Sequence, residues 1–275
     1  AEIIVPDPGF PIYESMATFS GATAVPVPLR QERDFRIDID ELRDLVTERT
    51  RLIVINTPHN PWGSILRLAY LEAIAALAIE RDLIVLSDEI YGRIQYDGEF
   101  RSIASLPGMA ERTIVLDGFS KTYAMTGWRL GYAIVPPELV PVFSRLIINS
   151  VSCTSTFSQI AAVEALTGPQ DAVDAMVAEF VARRTLVVDG LNALPGVTCR
   201  VPHGAFYAFP DVSRTGMSGP EFAERLLLEA DVSVLSGTAF GAVGRDHIRV
   251  SYANTRENIE LALQRMAGLL AGVAS

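Results

Sequence analysis

The chain has 275 residues, of which 49% are hydrophobic and 20% charged, a composition typical of a globular protein and too apolar for a disordered one. Its 33 acidic residues outnumber the 23 lysines and arginines, giving a formal charge of −10. This balance argues against a nucleic-acid partner, because phosphate backbones are bound by clustered basic side chains. Charged residues interrupt the long apolar stretches, such as 68–86, so neither a membrane span nor a membrane partner is predicted.

The start of the chain and its cysteines bear on the cellular compartment. No charged segment followed by an apolar run and a small-residue cleavage site opens the sequence, so nothing indicates export. Cys153 and Cys199 lie among apolar residues, and we expect two buried thiols in a reducing cytoplasm rather than a disulfide. The sequence opens at Ala1 in what reads as a strand already under way, so we expect a piece of a longer protein.

The first part of the chain alternates between short apolar runs and helical patterns. Apolar residues recur at helical spacing over 67–81, which predicts a helix there. Runs that are apolar throughout are typical of strands buried on both faces, as in a parallel sheet covered by helices. The sequence therefore predicts an α/β fold with a mostly parallel sheet sandwiched by helices. The predicted strands lie at 1–5, 51–55, 83–86 and 113–116.

The pattern changes near residue 169, where strands and helices no longer alternate regularly. This change predicts a smaller α+β domain. We expect a large cofactor-binding domain over residues 1–167, incomplete at its N-terminus, and a small C-terminal domain over 168–275. The elements predicted in the second part are helices over 169–193, 219–229 and 255–270 and strands at 205–209, 232–235 and 247–251.

Polar side chains follow three of the predicted parallel strands, where ligands bind in open α/β sheets. Asn60 follows the strand at 51–55, Asp88 and Tyr91 follow the next, and Lys121 follows the strand at 113–116. Each residue taken alone has an ordinary reading. Asn60 reads as a turn residue, Asp88 as a helix cap and Lys121 as a solvated surface residue.

The combination indicates a pyridoxal phosphate site, because that cofactor needs each of these groups. An amine holds it as a Schiff base, and a carboxylate keeps its ring nitrogen protonated so that the ring withdraws electrons. Hydrogen-bond donors hold its phenolate oxygen, and an arginine suits its phosphate because the planar guanidinium binds in a bidentate manner. Arg129, eight residues beyond Lys121, offers that guanidinium.

Four motifs give the chain a resemblance to a known family over essentially its whole length. In order and with plausible spacing they are Asn56-Thr-Pro-His-Asn-Pro-Trp-Gly63, Ser87-Asp-Glu-Ile-Tyr91, Gly118-Phe-Ser-Lys-Thr-Tyr-Ala-Met-Thr-Gly-Trp-Arg-Leu-Gly131 and Ile248-Arg-Val-Ser-Tyr-Ala253. The chain resembles the class I/II aminotransferases of the aspartate aminotransferase superfamily, which are fold-type I pyridoxal-phosphate enzymes. The resemblance implies pyridoxal 5'-phosphate as cofactor, amino acids and 2-oxo acids as substrates, ping-pong transamination and a homodimer.

The resemblance also implies a role for each matching residue, and no metal ligand. Lys121 matches the Schiff-base lysine, and Asp88 and Tyr91 complete the implied catalytic set. The other implied roles are ring stacking by Phe10, phenolate binding by Tyr91 and Asn60, phosphate binding by Arg129, and substrate carboxylate binding by Arg249 with Asn60. An ordinary core aromatic is the alternative interpretation of Phe10. Without the resemblance, Arg249 would be interpreted as a surface residue of a strand.

Two departures from the family pattern bear on these expectations. Trp62 stands where the family has Thr, and we expect it to crowd the loop beside Asn60 and reshape the mouth of the site. The N-terminal region that carries the family's phosphate-binding loop and helix N-terminus is absent from the 275 residues, so we expect only part of the phosphate site.

Three questions stay open from the sequence. The same residues serve other pyridoxal-phosphate reactions, including β-elimination, synthase and decarboxylase chemistry. A non-catalytic remnant is a further alternative, favoured by the absent N-terminal region. The substrate side chain is also open: residues 146–165 contain no arginine for a second carboxylate, but the absent N-terminal region could supply one.

Overall fold

The computed structural model describes residues 1–273, and a six-stranded sheet forms the centre of the first part of that range. Its strands follow the order β2-β1-β3-β4-β5-β6; the first five are parallel, and β6 runs antiparallel to β5. The predicted mostly parallel sheet and its four predicted strands are therefore confirmed. The strands are β1 (Glu2–Asp7), β2 (Thr23–Pro28), β3 (Thr50–Asn56), β4 (Ile84–Asp88), β5 (Thr113–Gly118) and β6 (Gly131–Ile134).

Eight α-helices accompany the strands within residues 1–273, and the four helices predicted from the sequence are among them. No helix in that range is both long and apolar enough to cross a bilayer. The helices are α1 (Ile12–Phe19), α2 (Ile39–Leu45), α3 (Leu68–Glu80), α4 (Val140–Ser150), α5 (Thr156–Thr167), α6 (Asp171–Asn192), α7 (Gly219–Ala230) and α8 (Arg256–Val273).

Burial on both faces of the sheet explains the apolar runs in the sequence. Ile53 and Ile55 of β3 pack in the same cluster as Leu71 of α3, whereas Val54 packs with Val5 on the other face. Full burial of each such side chain stabilises the fold by roughly 1.5–3 kcal/mol. Because alternate residues of a strand point to opposite faces, both faces need apolar residues, and the run is continuous.

A second, three-stranded antiparallel sheet lies in the C-terminal part of the chain. It has the order β7-β9-β8, with β7 at Tyr207–Ala208, β8 at Leu235–Ser236 and β9 at Ile248–Ser251. Helices α6, α7 and α8 contribute Phe180, Leu226 and Met266 to the core beside it. The separate sheets favour the division into 1–167 and 168–275, which stays a prediction.

Two predicted strands are shorter than expected. The strand predicted over 205–209 is confined to the two residues of β7, and that over 232–235 begins only at Leu235. The residues after α7 end the helix instead. Asp231 adopts a left-handed conformation with φ 50°, and the amide of Val232 donates to the carbonyl of Leu226 over 2.9 Å.

The prediction of two buried thiols is wrong for one of them. Cys199 is buried and Cys153 is exposed, and both are free cysteines. Cys153 lies between α4 and α5, whose apolar side chains Leu146, Phe157 and others are largely exposed, so apolar neighbours along the chain do not bury it.

Candidate active site

All seven site residues predicted from the sequence line one cavity at the carboxyl ends of β3, β4 and β5. The cavity has a volume of about 390 Å³, within the usual range for small-molecule sites. Asn60, Asp88 and Lys121 meet here because the parallel neighbouring strands that precede them end at the same edge of the sheet. The seven residues are Phe10, Asn60, Asp88, Tyr91, Lys121, Arg129 and Arg249.

Asn56, the last residue of β3, joins the ends of two strands. Its side-chain amide donates to the carbonyl of Asp88 over 3.0 Å, and its Oδ1 accepts from the backbone amide of Asn60 over 2.8 Å. Asn56 is paired with Asp88 in the β3–β4 register, so these bonds span a short distance. Asn56 thus fixes the start of the loop that carries Asn60.

Asp88, the last residue of β4, is largely buried and accepts two hydrogen bonds. The hydroxyl of Tyr13 donates to Oδ2 over 2.5 Å, and the backbone amide of Ile90 donates to Oδ1 over 3.2 Å. Burial raises the pKa of the Asp88 carboxyl, and these two bonds oppose that rise. A turn follows Asp88 rather than a helix, so the helix-cap reading is wrong.

Lys121 follows β5 and is the only lysine among the 275 residues; the other 22 residues of the Lys+Arg count of 23 are arginines. Burial lowers the pKa of its amine, and the positive charges of Arg249 and Arg129 lower it further. The amine lies 5.9 Å from the centre of the Phe206 ring. Lysine can lose its proton in such surroundings whereas arginine cannot, so the one lysine stands where a neutral amine can form.

A close glycine pair lies just before Lys121. Gly118 at the end of β5 pairs with Gly131 of β6, and a Cβ on Gly118 would lie 2.9 Å from the Gly131 Cα. Only a residue without a side chain permits this approach. The glycines therefore let β6 lie against the end of β5.

Arg249 extends from β9 into the cavity between two aromatic rings. Its guanidinium carbon lies 4.3 Å from the ring centre of Tyr207 and 4.7 Å from that of Phe240. The hydroxyl of Tyr207 is 2.9 Å from the hydroxyl of Tyr91, so one tyrosine contacts both predicted site residues. The surface reading of Arg249 is wrong, because the side chain lines the cavity.

Phe10 and Arg129 lie at the more exposed side of the cavity. Phe10 is 42% exposed, so its core reading is wrong, and its ring meets that of Tyr13 edge-on with centres 6.0 Å apart. Arg129 is exposed, adopts a left-handed conformation with φ 53°, and donates from Nη1 to the carbonyl of Thr126 over 3.1 Å.

The cavity lining carries more positive than negative side chains, although the whole chain is acidic. Its cations are Lys121, Arg129 and Arg249, and its carboxylates are Asp88 and Asp117. Asp117 accepts from the hydroxyl of Tyr132 over 2.7 Å, and burial raises its pKa. This balance suits an anionic ligand.

Trp62 does not line the cavity, so the prediction that it reshapes the mouth is wrong. It is 2% exposed, its ring centre lies 4.7 Å from that of Phe35, and its indole nitrogen donates to the carbonyl of Asp34 over 3.2 Å. The large apolar indole is buried in the core beneath the loop, although its neighbour Asn60 faces the cavity.

Eight further lining residues were not predicted as site residues: Tyr13, Asn56, Ile90, Leu116, Asp117, Ser120, Thr126 and Tyr207. Asn56 and Asp117 stand at or near the carboxyl ends of β3 and β5, so the strand-end rule that found Asp88 applies to them too. Tyr13 and Tyr207 follow no such local signal, because their positions depend on how α1 and β7 pack.

Comparison with known proteins assigns the family. The model of the family described as aminotransferase class I and II matches residues 1–266. An aspartate aminotransferase of Pyrococcus abyssi and an aromatic-amino-acid aminotransferase of Thermococcus litoralis are each 44% identical over 272 residues, covering 98% of this chain and 70% of theirs. The crystal structure of an aromatic aminotransferase from Pyrococcus horikoshii superposes with a TM-score of 0.95 at 42% identity, covering 98% of this chain and 73% of that one. The chain belongs to the class I and II aminotransferase family.

Proposed function

We propose that this aminotransferase holds pyridoxal 5'-phosphate in the cavity at the strand ends and exchanges an amino group between a 2-amino acid and a 2-oxo acid in two half-reactions. The observation that carries the proposal is that all seven predicted site residues line this one cavity. The family implies the cofactor, and the family name and the names of the relatives support amino-group transfer over the other pyridoxal-phosphate reactions and over a non-catalytic remnant.

The donor set fits the cofactor group by group. Asp88 keeps acceptor capacity for a protonated ring nitrogen, because a carboxylate has about four lone-pair sites and two are used here. Lys121 would hold the cofactor covalently through its amine. When bound, the cofactor supplies an electron sink for the bonds at the substrate Cα. The other holding residues are Asn60 and Tyr91 for the phenolate oxygen, Arg129 for the phosphate and Phe10 for the face of the ring.

Arg249 binds and orients the substrate in this proposal. The rings of Tyr207 and Phe240 flank the guanidinium, so its edge is the side that can donate hydrogen bonds to a carboxylate. A bidentate pair with the substrate α-carboxylate fixes the direction of the bonds at Cα.

Lys121 moves the proton in this proposal. Once a substrate amine has taken its place, the Lys121 amine would take the proton from the substrate Cα as general base and deliver it to the C4′ carbon of the cofactor as general acid. Burial and the neighbouring arginines lower the pKa of this amine, which increases its neutral fraction near neutral pH. Asp88 and Tyr91, which line the same cavity, complete the proposed catalytic set.

The proposal includes a homodimer, the two domains predicted from the sequence and a cytoplasmic location. Apolar side chains exposed on β6, α4 and α5, among them Ile134, Leu146 and Phe157, support burial of this face against another polypeptide. Sedimentation of the chain loaded with pyridoxal phosphate tests the dimer, and a monomer at micromolar concentration contradicts it.

The absorption spectrum of the chain mixed with pyridoxal phosphate tests the cofactor site. We expect a visible band that disappears in Lys121→Ala and bleaches on addition of a 2-amino acid. Because Lys121 is the only lysine, borohydride reduction followed by peptide mapping separates Lys121 from the N-terminal amine, the other primary amine of the polypeptide. Attachment at the N-terminus alone contradicts the proposal.

Product analysis tests the reaction type. Amino-group transfer requires a 2-oxo acid acceptor for turnover, whereas elimination releases ammonia and decarboxylation releases carbon dioxide without one. Release of either product in the absence of an acceptor, at the rate seen in its presence, contradicts transamination.

A further inference from the structure

Tyr13 lines the same cavity and contacts the carboxylate proposed to face the cofactor ring. Its hydroxyl donates to Asp88 Oδ2 over 2.5 Å, a length typical of an O–H donor on an ionised carboxylate. The tyrosine ring is buried with Val5 of β1 and Val54 of β3, so packing fixes the direction of the hydroxyl. Tyr13 stands on the first turn of α1, and its amide donates to the carbonyl of Phe10 over 3.2 Å.

We propose that Tyr13 is a positioning residue that holds Asp88 ionised and aimed into the cavity. The inference rests on the proposed function, because its consequence is that Asp88 can keep the cofactor ring nitrogen protonated. Tyr13 occupies one lone pair of Oδ2, and the Ile90 amide occupies one of Oδ1. A lone pair on each oxygen stays available to the ring nitrogen.

The direction of the hydrogen bond is what gives Tyr13 this role. A hydroxyl that donates to a carboxylate favours the charged form, whereas burial favours the neutral acid. A protonated Asp88 would itself be a donor and would leave the ring nitrogen without an anionic partner. Within residues 1–273, four other titratable groups interact electrostatically with Asp88, and Lys121 is the one among them that carries a positive charge when protonated. They are Tyr91 and Glu89 beyond β4, Asp117 of β5 and Lys121 after β5.

The substitution Tyr13→Phe removes one oxygen atom and keeps the buried ring. We expect the pKa of Asp88, followed by carboxyl ¹³C NMR in the cofactor-free chain, to rise by about one unit. The dissociation constant of pyridoxal phosphate, measured by absorption titration, is expected to rise about tenfold. Tyr70→Phe, the same change on α3 outside the cavity, is the matched control and should leave both values unchanged.

A double-mutant cycle separates positioning from a merely structural role. In the Asp88→Asn background, Tyr13→Phe should change the dissociation constant by less than about twofold, because the carboxylate on which it acts is gone. A tenfold loss that persists in that background overturns the inference. So does a wild-type Asp88 that is protonated at pH 7, a measurement that needs no variant to fold.

Failure of the inference and failure of the proposed function give different results. If the wild-type spectrum does not depend on Lys121, the proposed function fails and the inference falls with it. If the spectrum depends on Lys121 but Tyr13→Phe matches wild type in the Asp88 titration and in cofactor affinity, the inference alone is overturned.

Discussion

Arg249 donates a hydrogen bond from Nη1 to Oδ1 of Asn60 over 2.9 Å, joining residues 189 positions apart in the sequence. One lies on β9 of the small sheet and the other on the loop after β3 of the large sheet. The bond therefore links the strand that carries the proposed substrate-binding group with the loop that carries a proposed cofactor-binding group. With the flanking rings of Tyr207 and Phe240, it leaves the guanidinium little freedom to turn.

The substitution Arg249→Gln is expected to weaken substrate binding. Removing a hydrogen-bonded charge costs about 1.5–3 kcal/mol, so KM for the amino acid should rise about 10- to 150-fold. Steady-state kinetics with the amino acid varied measures the change. Arg214→Gln, at an exposed arginine that does not line the cavity, is the matched control. An unchanged KM in Arg249→Gln contradicts the proposed role.

The substitution Trp62→Ala is expected to destabilise the fold while leaving KM unchanged. Removing a buried tryptophan costs about 3–5 kcal/mol, and Trp62 packs on Phe35 away from the cavity. Urea unfolding measures the loss. Trp128→Ala, at the other tryptophan and exposed, should cost less than about 1 kcal/mol. A change in KM without a loss of stability would show that Trp62 acts on the site.

Much of the large sheet was predictable because its determinants are local. A strand buried on both faces is apolar at Ile53, Val54 and Ile55, and this run is visible in five residues of sequence. Neighbouring parallel strands end together, so Asp88 and Lys121 meet wherever the sheet forms. The same reasoning predicts the position of Asn60, but it does not apply to site residues outside the large sheet.

The rest of the site depends on contacts between distant parts of the chain. Arg249 and Tyr207 come from an antiparallel sheet whose packing over the cavity no local pattern encodes, so only the family resemblance found Arg249. The predicted position of Trp62 was wrong because it too depends on a contact with a distant part of the chain. Its position is set by Phe35, 27 residues earlier in the sequence, rather than by its neighbour Asn60.

His59 is expected to lower the stability of the folded protein as the pH falls. It is 3% exposed, neither ring nitrogen has a hydrogen-bond partner within residues 1–273, and burial lowers its pKa to about 3. Between that value and about 6.5 the unfolded state binds a proton that the folded state does not, so stability is lost as pH falls. From pH 7 to pH 5 the loss from this residue amounts to about 2 kcal/mol.

The substitution His59→Leu isolates this contribution because no hydrogen bond to the side chain is lost. Urea unfolding measures the free energy of unfolding at pH 7 and at pH 5. Between these pH values it should fall by about 2 kcal/mol less in the variant than in wild type. If the free energy of unfolding falls equally with pH in the variant and in wild type, His59 is protonated in the folded protein, contrary to its burial.

The two cysteines are expected to differ sharply in reactivity. Burial raises the pKa of the Cys199 thiol to about 12, so its thiolate is scarce at pH 8, whereas Cys153 is exposed. Iodoacetamide should therefore modify one thiol in the folded chain and both in urea, as counted by mass spectrometry. Cys153→Ser should abolish the modification of the folded chain, and Cys199→Ser should leave it unchanged. Equal labelling of both thiols in the folded chain would contradict the burial of Cys199, which packs in the core beside α6 and the small sheet.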